Sequence, residues 1–189
     1  MDPKKLRKSY KQHLPVLVKT MGHVKEQLSD LPPSDFLLET NLKPYSSIKE
    51  KMERDHVRDP SELSDLVRGR LFYSDQFDQN ETVDLLSEIF GKNIKDVDDR
   101  KHRSKEHGLE YHGVVHVDLN FDGTNFELQV MPVEYKPYKE FAHQIYEKFR
   151  NPKTYSKLSD KQKDLLKKVH NDLYEKLHEK ANSNRKKES

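Results

Sequence analysis

The chain has 189 residues, which is enough for one domain with a core of its own. Only 32% of the residues are hydrophobic and 36% are charged, so we expect short apolar stripes beneath a heavily solvated surface. There is no cysteine, which excludes disulfides, thiolate catalysis and cysteine-bound zinc. The net charge is only +2, so only local basic patches could attract nucleic acid. Without a signal peptide or a long apolar run, the sequence predicts a soluble, cytoplasmic protein that does not contact a membrane.

The first half of the chain predicts helices, then a strand, then a helix. Residues 2–29 carry apolar side chains at three- and four-residue steps, which predicts a helix or a pair of helices, with Pro15 marking a break or a first turn. The proline pair in residues 31–35 ends this N-terminal helical unit, whose bounds are 2–35. Alternation over residues 66–73 predicts a strand. Residues 80–90 predict a helix that Asn80 caps and Gly91 closes.

The second half predicts a hairpin followed by two helices. Residues 92–110 are polar and aperiodic, so we expect a mobile loop near the binding site. Two alternating runs flank Asp122 and Gly123, which is typical of a β-hairpin. Residues 137–150 and 159–181 have helical periodicity, and residues 182–189 are expected to be a frayed basic tail. The order of elements predicts an α+β fold with a central mixed or antiparallel sheet, flanked by N-terminal and C-terminal helices.

The second strand of the hairpin carries the most informative polar pair. Alternation places Glu127 and Gln129 on one face, and Phe126, Leu128 and Val130 on the other. An acid and an amide therefore point together away from the core. On this pattern alone, an ordinary solvent-facing strand explains the pair better than a functional site does.

Three separated motifs occur in order along the chain. Residues 42–52 contain a lysine- and serine-bearing segment, residues 65–70 read Asp-Leu-Val-Arg-Gly-Arg, and residues 127–130 read Glu-Leu-Gln-Val. Together these motifs resemble those of RelA/SpoT synthetase domains. Each motif is weak by itself, but all three occur in the family's order. The resemblance implies a nucleotidyltransferase-like fold in one synthetase domain over residues 1–181, with a catalytic core at 40–150.

The resemblance also implies transfer of pyrophosphate from ATP, with Mg²⁺ as cofactor. Asp65 and Glu127 match the family's metal-binding and catalytic carboxylates, and Gln129 is expected to position rather than react. Four residues are expected to bind ATP phosphates, and Arg70 could instead stack on adenine: Lys43, Ser47, Lys51 and Arg70. The first three lie at four-residue intervals, so on a helical turn their side chains would stack toward one phosphate chain. Without the motif, the lysines are better explained as a solvated face, Asp65 could equally be a helix cap, and Arg70 could form a surface ion pair.

Residues 108–116 resemble the family's Gly-Tyr-x-x-x-His segment, whose tyrosine stacks on the acceptor base. Tyr111 is the matching tyrosine, although an aromatic at a strand edge is more often a packing residue. His116 is the matching histidine if the spacing is shifted by one residue, and His112 competes with it. His143, on the predicted helix that follows, matches a histidine that faces the family's site, and a surface position is the alternative.

Three departures from the family pattern are visible. Asn41 stands where an arginine is usual, which removes one expected ATP contact. Arg68 replaces a glycine and adds positive charge close to Asp65. Met131 and Pro132 replace an Arg-Thr pair, and we expect them to break the strand.

Several functions are compatible with the sequence. The first is a small alarmone synthetase that acts on a guanosine or adenosine nucleotide, and the second is a toxin that pyrophosphorylates the 3'-end of tRNA. The toxin would need a basic surface, which residues 100–105, 167–168 and 185–187 could supply. A catalytically silent nucleotide-binding module and a non-catalytic RNA-binding protein are the other classes. Homo-oligomerisation and an antitoxin partner are both left open by the resemblance.

Overall fold

A five-stranded mixed sheet forms the centre of the fold, and helices pack on both of its faces. The computed structural model describes residues 3–60, 63, 65–99 and 108–188. The α+β class predicted from the sequence is confirmed, in its mixed-sheet form. The strands are β1 (Phe36–Leu42), β2 (Val67–Tyr73), β3 (Ile94–Asp99), β4 (Val115–Phe121) and β5 (Thr124–Pro132). The α-helices are α1 (Pro3–Gln27), α2 (Tyr45–Arg54), α3 (Gln79–Phe90), α4 (Lys139–Arg150), α5 (Pro152–Tyr155) and α6 (Asp160–Glu188).

The strand order places the sequence motifs side by side. The sheet runs β1-β2-β5-β4-β3, with β2 and β5 parallel and the other neighbours antiparallel. In the parallel pair, Arg68 lies opposite Glu127 and Arg70 lies opposite Gln129. Motifs that are far apart in the chain therefore become neighbours in the sheet.

The two faces of the sheet differ in chemistry because alternate residues point to opposite sides. One face joins α1, α2 and α3 in the main core, whose strand residues include Val67, Leu71, Val117, Phe126, Leu128 and Val130. Gly69 belongs to this face, and a Cβ there would lie only 3.0 Å from the Phe126 ring, so β2 and β5 need glycine at this point. The other face carries polar side chains and looks toward α4 and α6.

The hairpin and the first helix confirm two sequence predictions. Asp122 and Gly123 both have positive φ, 50° and 87°, as a two-residue type I′ turn requires. Phe121 pairs with Thr124 across this turn. The N-terminal segment is one continuous helix, and Pro15 lies exposed inside it rather than at a break. None of the helices that the structure describes is long and apolar enough to span a bilayer.

Four local predictions were wrong. Asp78, not Asn80, caps α3, in a capping box with Glu81. The expected loop at 92–110 contains strand β3, and residues 100–107 lie outside the described residues. The expected frayed tail is helical, because α6 continues to Glu188. Met131 does not break β5, since the strand includes Pro132 and ends there.

Candidate functional site

A cleft lies between the polar face of the sheet and α4 and α6. Its volume is about 290 Å³. Most of the site residues predicted from the sequence line it: Lys43, Lys51, Asp65, Arg70, Tyr111, His116, Glu127, Gln129 and His143. Ser47 does not line this cleft; it is half-buried on α2. The structure thus brings together residues that were proposed from three separate motifs.

Glu127 is held in place by Gln129 of its own strand and by His116 of the adjacent strand β4. Gln129 Nε2 donates a hydrogen bond to Glu127 Oε1 at 2.9 Å, and Arg70 Nε donates to Gln129 Oε1 at 3.3 Å. On β4, His116 Nδ1 lies 3.6 Å from Glu127 Oε2. Each oxygen of the Glu127 carboxylate therefore has a neighbour, and Gln129 links the carboxylate to Arg70.

In the same cleft, two lysines bind the buried carboxylate of Asp65. Lys43 Nζ lies 2.5 Å from Asp65 Oδ2, and Lys51 Nζ lies 2.8 Å from Asp65 Oδ1. Burial acts to raise the pKa of Asp65, but the hydrogen bonds and charges of both lysines outweigh it and hold that pKa below its ordinary value. Burial lowers the pKa of Lys43, with Asp65 acting in the opposite direction.

The sequence suggested that helical spacing brings the two lysines together, but in the structure they reach Asp65 from different segments. Lys43 precedes α2, which begins at Tyr45, and its backbone N–H donates to the carbonyl oxygen of Leu66 at 2.9 Å. Lys51 lies on α2 itself. Asp65 joins the lysines from the segment before β2, so a tertiary contact replaces the expected stack on one helix face.

The cleft is strongly cationic. Among the described residues it has seven cationic side chains and two carboxylates, and the cations are Lys43, Lys51, Arg54, Arg68, Arg70, Lys139 and Arg150. Such an excess of positive charge suits a ligand that carries several negative charges. Lys139 is paired with Glu39 of β1. Sequence reasoning missed Arg54, Lys139 and Arg150.

The helical spacing of α4 could have found some of the missed residues. Tyr146 and Arg150 follow His143 at three and seven residues, which places all three on one helix face. All three line the cleft, and the Arg150 guanidinium lies 5.8 Å from the centre of the Tyr146 ring. Burial lowers the pKa of His143, whose Nε2 is 3.7 Å from Glu147.

An aromatic cluster forms the wall of the cleft near α6. Tyr111 packs edge-to-face against Tyr174 and His170, with ring centres 5.1 and 4.8 Å apart. His170 is fully buried, and burial lowers its pKa to about 4, so it is neutral at physiological pH. Burial raises the pKa of Tyr174 to about 12. Packing in this cluster still leaves Tyr111 lining the cleft, so the packing and ligand-binding interpretations are compatible.

The structure separates the two histidines that competed for one role. His116 lies on β4 inside the cleft, next to Glu127. His112 instead pairs with Glu110, Nε2 to Oε2 at 2.7 Å, and lines a different pocket with His178 and Arg185. Of His112 and His116, therefore, His116 is the one placed to contact a ligand in the main cleft.

The two departures in the first and second motifs are partners. Asn41 on β1 lies opposite Arg68 on β2, and Arg68 Nε donates to Asn41 Oδ1 at 3.0 Å. The cation missing from β1 is thus replaced by one on the neighbouring strand at the same register. Arg68 lines the cleft, and Asn41 fixes one of its nitrogens.

The two carboxylates of the cleft suit a metal ion whose other ligands come from the substrate and from water. Within the described part of the chain, no three His, Cys, Asp or Glu side chains cluster closely enough to hold a metal by themselves. Mg²⁺ commonly takes only one or two protein carboxylates and completes its shell with phosphate oxygens and water. Asp65 and Glu127 fit that ligand set.

A mixed sheet with an oriented carboxylate on its polar face, beside a cation-rich cleft, is chemically suited to a ligand that carries phosphate groups. Residues 40–153 match the family described as "Region found in RelA / SpoT proteins", and the chain belongs to this family. The match begins inside β1 and ends inside α5. It therefore includes the three motifs but not α1 or α6.

Solved structures share the fold over nearly the whole chain. Small alarmone synthetase 1 from Bacillus subtilis, bound to its product pppGpp, is 18% identical with a TM-score of 0.58, covering 97% of this chain and 96% of that one. Small alarmone synthetase 2 from Bacillus subtilis is 19% identical with a TM-score of 0.58, covering 99% and 100%. The Type VI effector Tas1, solved with its immunity protein, is 17% identical with a TM-score of 0.59, covering 95% and 99%. The comparison with curated proteins gave no match.

Proposed function

We propose that this protein is an ATP-dependent pyrophosphokinase that transfers pyrophosphate to the 3'-hydroxyl of a guanosine or adenosine nucleotide. One observation carries the proposal: the oriented carboxylate of Glu127 shares a cleft with seven cations, in a chain of the RelA/SpoT family. A triphosphate needs the cations, and an attacking hydroxyl needs the carboxylate.

The donor half of the cleft lies around Asp65. Lys43 and Lys51 hold its carboxylate in the free protein, and both line the part of the cleft where the phosphate oxygens of a triphosphate would bind. Asp65 and Glu127 would hold Mg²⁺, which supplies neutralisation of the charge that develops on the phosphates. Arg68 takes the place of the cation that β1 lacks, and Arg70 is held beside Gln129.

The acceptor half lies around Tyr111, His116 and His143. The Tyr111 ring offers a flat surface for a base, and Glu127 is placed to take the proton of the 3'-hydroxyl. In the transfer, the hydroxyl oxygen forms a bond to the β-phosphorus of ATP while the bond between that phosphorus and the oxygen of the α-phosphate breaks. AMP leaves, and the acceptor carries the pyrophosphate.

A guanosine nucleotide is the acceptor we favour. The structure of a protein with this fold contains its product pppGpp, which supports a guanosine acceptor. The similarity to Tas1, an effector with an immunity protein, supports a toxin as the second candidate, with a protein antitoxin as partner.

The tRNA version of the toxin needs a basic surface, and the structure describes part of the proposed one. Lys167 and Lys168 are exposed on α6. Arg185 is half-buried and lies over the Tyr73 ring, at 5.5 Å from its centre, so it adds less to an exposed patch. Residues 100–105, the longest basic run, lie outside the described residues.

Transfer of a labelled phosphate tests these candidates together. The purified protein is incubated with Mg²⁺ and ATP labelled at the γ-phosphate, plus GDP, GTP, AMP or deacylated tRNA in separate reactions. Label on GDP or GTP supports the guanosine acceptor, label on AMP supports an adenosine acceptor, and label on tRNA supports the tRNA toxin. Absence of transfer to all four, by protein that still binds ATP, would overturn the enzymatic proposal.

A further inference from the structure

The side chain of Asn171, on α6, forms two hydrogen bonds to the backbone of the segment that leads to Tyr111. Its Oδ1 accepts from the Glu110 N–H at 2.9 Å, and its Nδ2 donates to the Gly108 carbonyl oxygen at 3.0 Å. The amide group thereby pairs with the backbone as a neighbouring strand would. Both bonds lie within three residues of Tyr111, at the point where the chain enters the cleft.

Aromatic residues hold the same segment at and after Tyr111. Tyr135 Oη donates to the carbonyl oxygen of His112 at 2.6 Å, and the Tyr135 and Tyr174 rings pack 5.5 Å apart. His170, beside Asn171 in sequence, is fully buried against the Tyr111 ring. The backbone is thus fixed both before and after Tyr111, which limits the directions in which its ring can point.

This arrangement depends on α6, which lies outside the residues that match the RelA/SpoT family. We propose that Asn171 is a positioning residue for the acceptor nucleotide, which acts through Tyr111 by fixing the backbone of residues 108–110. The proposal rests on the proposed function, because it assumes that Tyr111 contacts the acceptor. If Asn171 only anchored α6 to the domain, its replacement would lower stability and would change the KM values for both substrates equally.

Steady-state kinetics of Asn171→Ala separates these two roles. The substitution removes both backbone hydrogen bonds and the 3.4 Å contact of Asn171 Oδ1 with Nδ1 of His170, which itself packs on Tyr111. These losses lie on the acceptor side, so they should raise the acceptor KM about tenfold and leave the ATP KM within about twofold. Glu175→Ala is the matched control, since this exposed residue lies one helical turn further along α6. Equal increases in both KM values, with a lower Tm, would overturn the proposal.

A double-mutant cycle tests whether Asn171 acts through Tyr111. If it does, Tyr111→Ala combined with Asn171→Ala should be no worse for the acceptor KM than Tyr111→Ala alone, whereas independent roles would give multiplied effects and overturn the proposal. Should Asn171→Ala not fold, Asn171→Asp serves in the same cycle, because aspartate keeps the acceptor for Glu110 N–H and loses the donor for Gly108.

Hydrogen exchange distinguishes failure of this inference from failure of the proposed function. The Glu110 amide should exchange at least tenfold faster in Asn171→Ala than in the wild type, whether or not the protein is an enzyme. Unchanged exchange would show that Asn171 does not hold the backbone of residues 108–110. If the wild type transfers no label but the exchange rates do differ, GDP titration of the wild type and of Asn171→Ala measures the effect on acceptor binding as a ratio of Kd values. A ratio near one would then overturn the role in acceptor binding.

Discussion

Replacing Asp65 with asparagine should destabilise the protein because it leaves two lysines without their shared counter-ion. The Lys43 side chain is 3% exposed and that of Asp65 13%, so water compensates little for the lost charge. Removing one partner of a buried ion pair typically costs about 3–5 kcal/mol. Lys51 is 17% exposed and can turn outward, so we expect the lower value, about 3 kcal/mol. For a chain of this size, that lowers Tm by about 6–12 °C.

Urea unfolding of Asp65→Asn against Asp55→Asn measures this effect. Asp55 pairs with Arg54 at 2.7 Å on the surface, so the same chemical change there should cost less than about 1 kcal/mol. Combining Asp65→Asn with Lys43→Met should recover stability, because the stranded charge is removed. The reasoning is refuted if both asparagine variants unfold at the same urea concentration, or if the Lys43 change adds a full further loss.

The stability difference between wild type and Asp65→Asn should depend on pH in a defined direction. The folded state holds the pKa of Asp65 below its ordinary value of 3.8. The carboxylate therefore contributes its full stabilisation above about pH 4, and this contribution is lost as pH falls through the lower, folded pKa. Unfolding curves between pH 7 and pH 3 should show the two proteins converging only at the acid end.

The remaining predictions concern activity. Glu127→Gln should reduce kcat by about 10²–10⁴-fold without lowering Tm by more than a few degrees, and near-normal turnover would remove Glu127 from its role as base. Tyr111→Ala should raise the acceptor KM more than the ATP KM, while Tyr111→Phe stays close to wild type; an effect on ATP alone would reassign this ring. Arg68→Gly should raise the ATP KM about tenfold, and Asn41→Arg in the same chain should restore it, since both positions lie on one rung of the sheet. Failure of the second change to restore ATP binding would show that the cation must come from β2.

Regular alternation made the strands at the centre of the sheet predictable. The hairpin around Asp122 and Gly123 and strand β2 appear as expected, because half-buried strands need one apolar face. Strands β1 and β3 were not predicted, because their sequences lack this regular alternation. They lie at the two edges of the sheet, and β3 exposes Lys95, Asp96 and Val97, so its sequence resembles a loop.

The candidate site was predictable where motifs specified it and not where tertiary contacts did. Glu127 and Gln129 follow from strand alternation, and the cleft contains them. The bonds from Lys43 and Lys51 to Asp65 join three separate segments, and no local pattern encodes such a meeting. Asn171 lies on a helix whose sequence reads as a plain amphipathic stripe, so its backbone contacts were invisible before the fold was known.

The parallel pairing of β2 with β5 has a consequence for how activity arises during folding. Arg68 and Glu127 are paired in the sheet but lie far apart in the sequence. Contacts between such distant residues tend to form late in folding. A nascent chain that has not yet emerged as far as β5 contains Asp65 but lacks Glu127, so its cleft is incomplete. A one-residue slip in this docking would turn Glu127 into the core and bring Phe126 to the cleft. Activity should therefore appear in one step with the complete sheet, and partly folded chains should be silent.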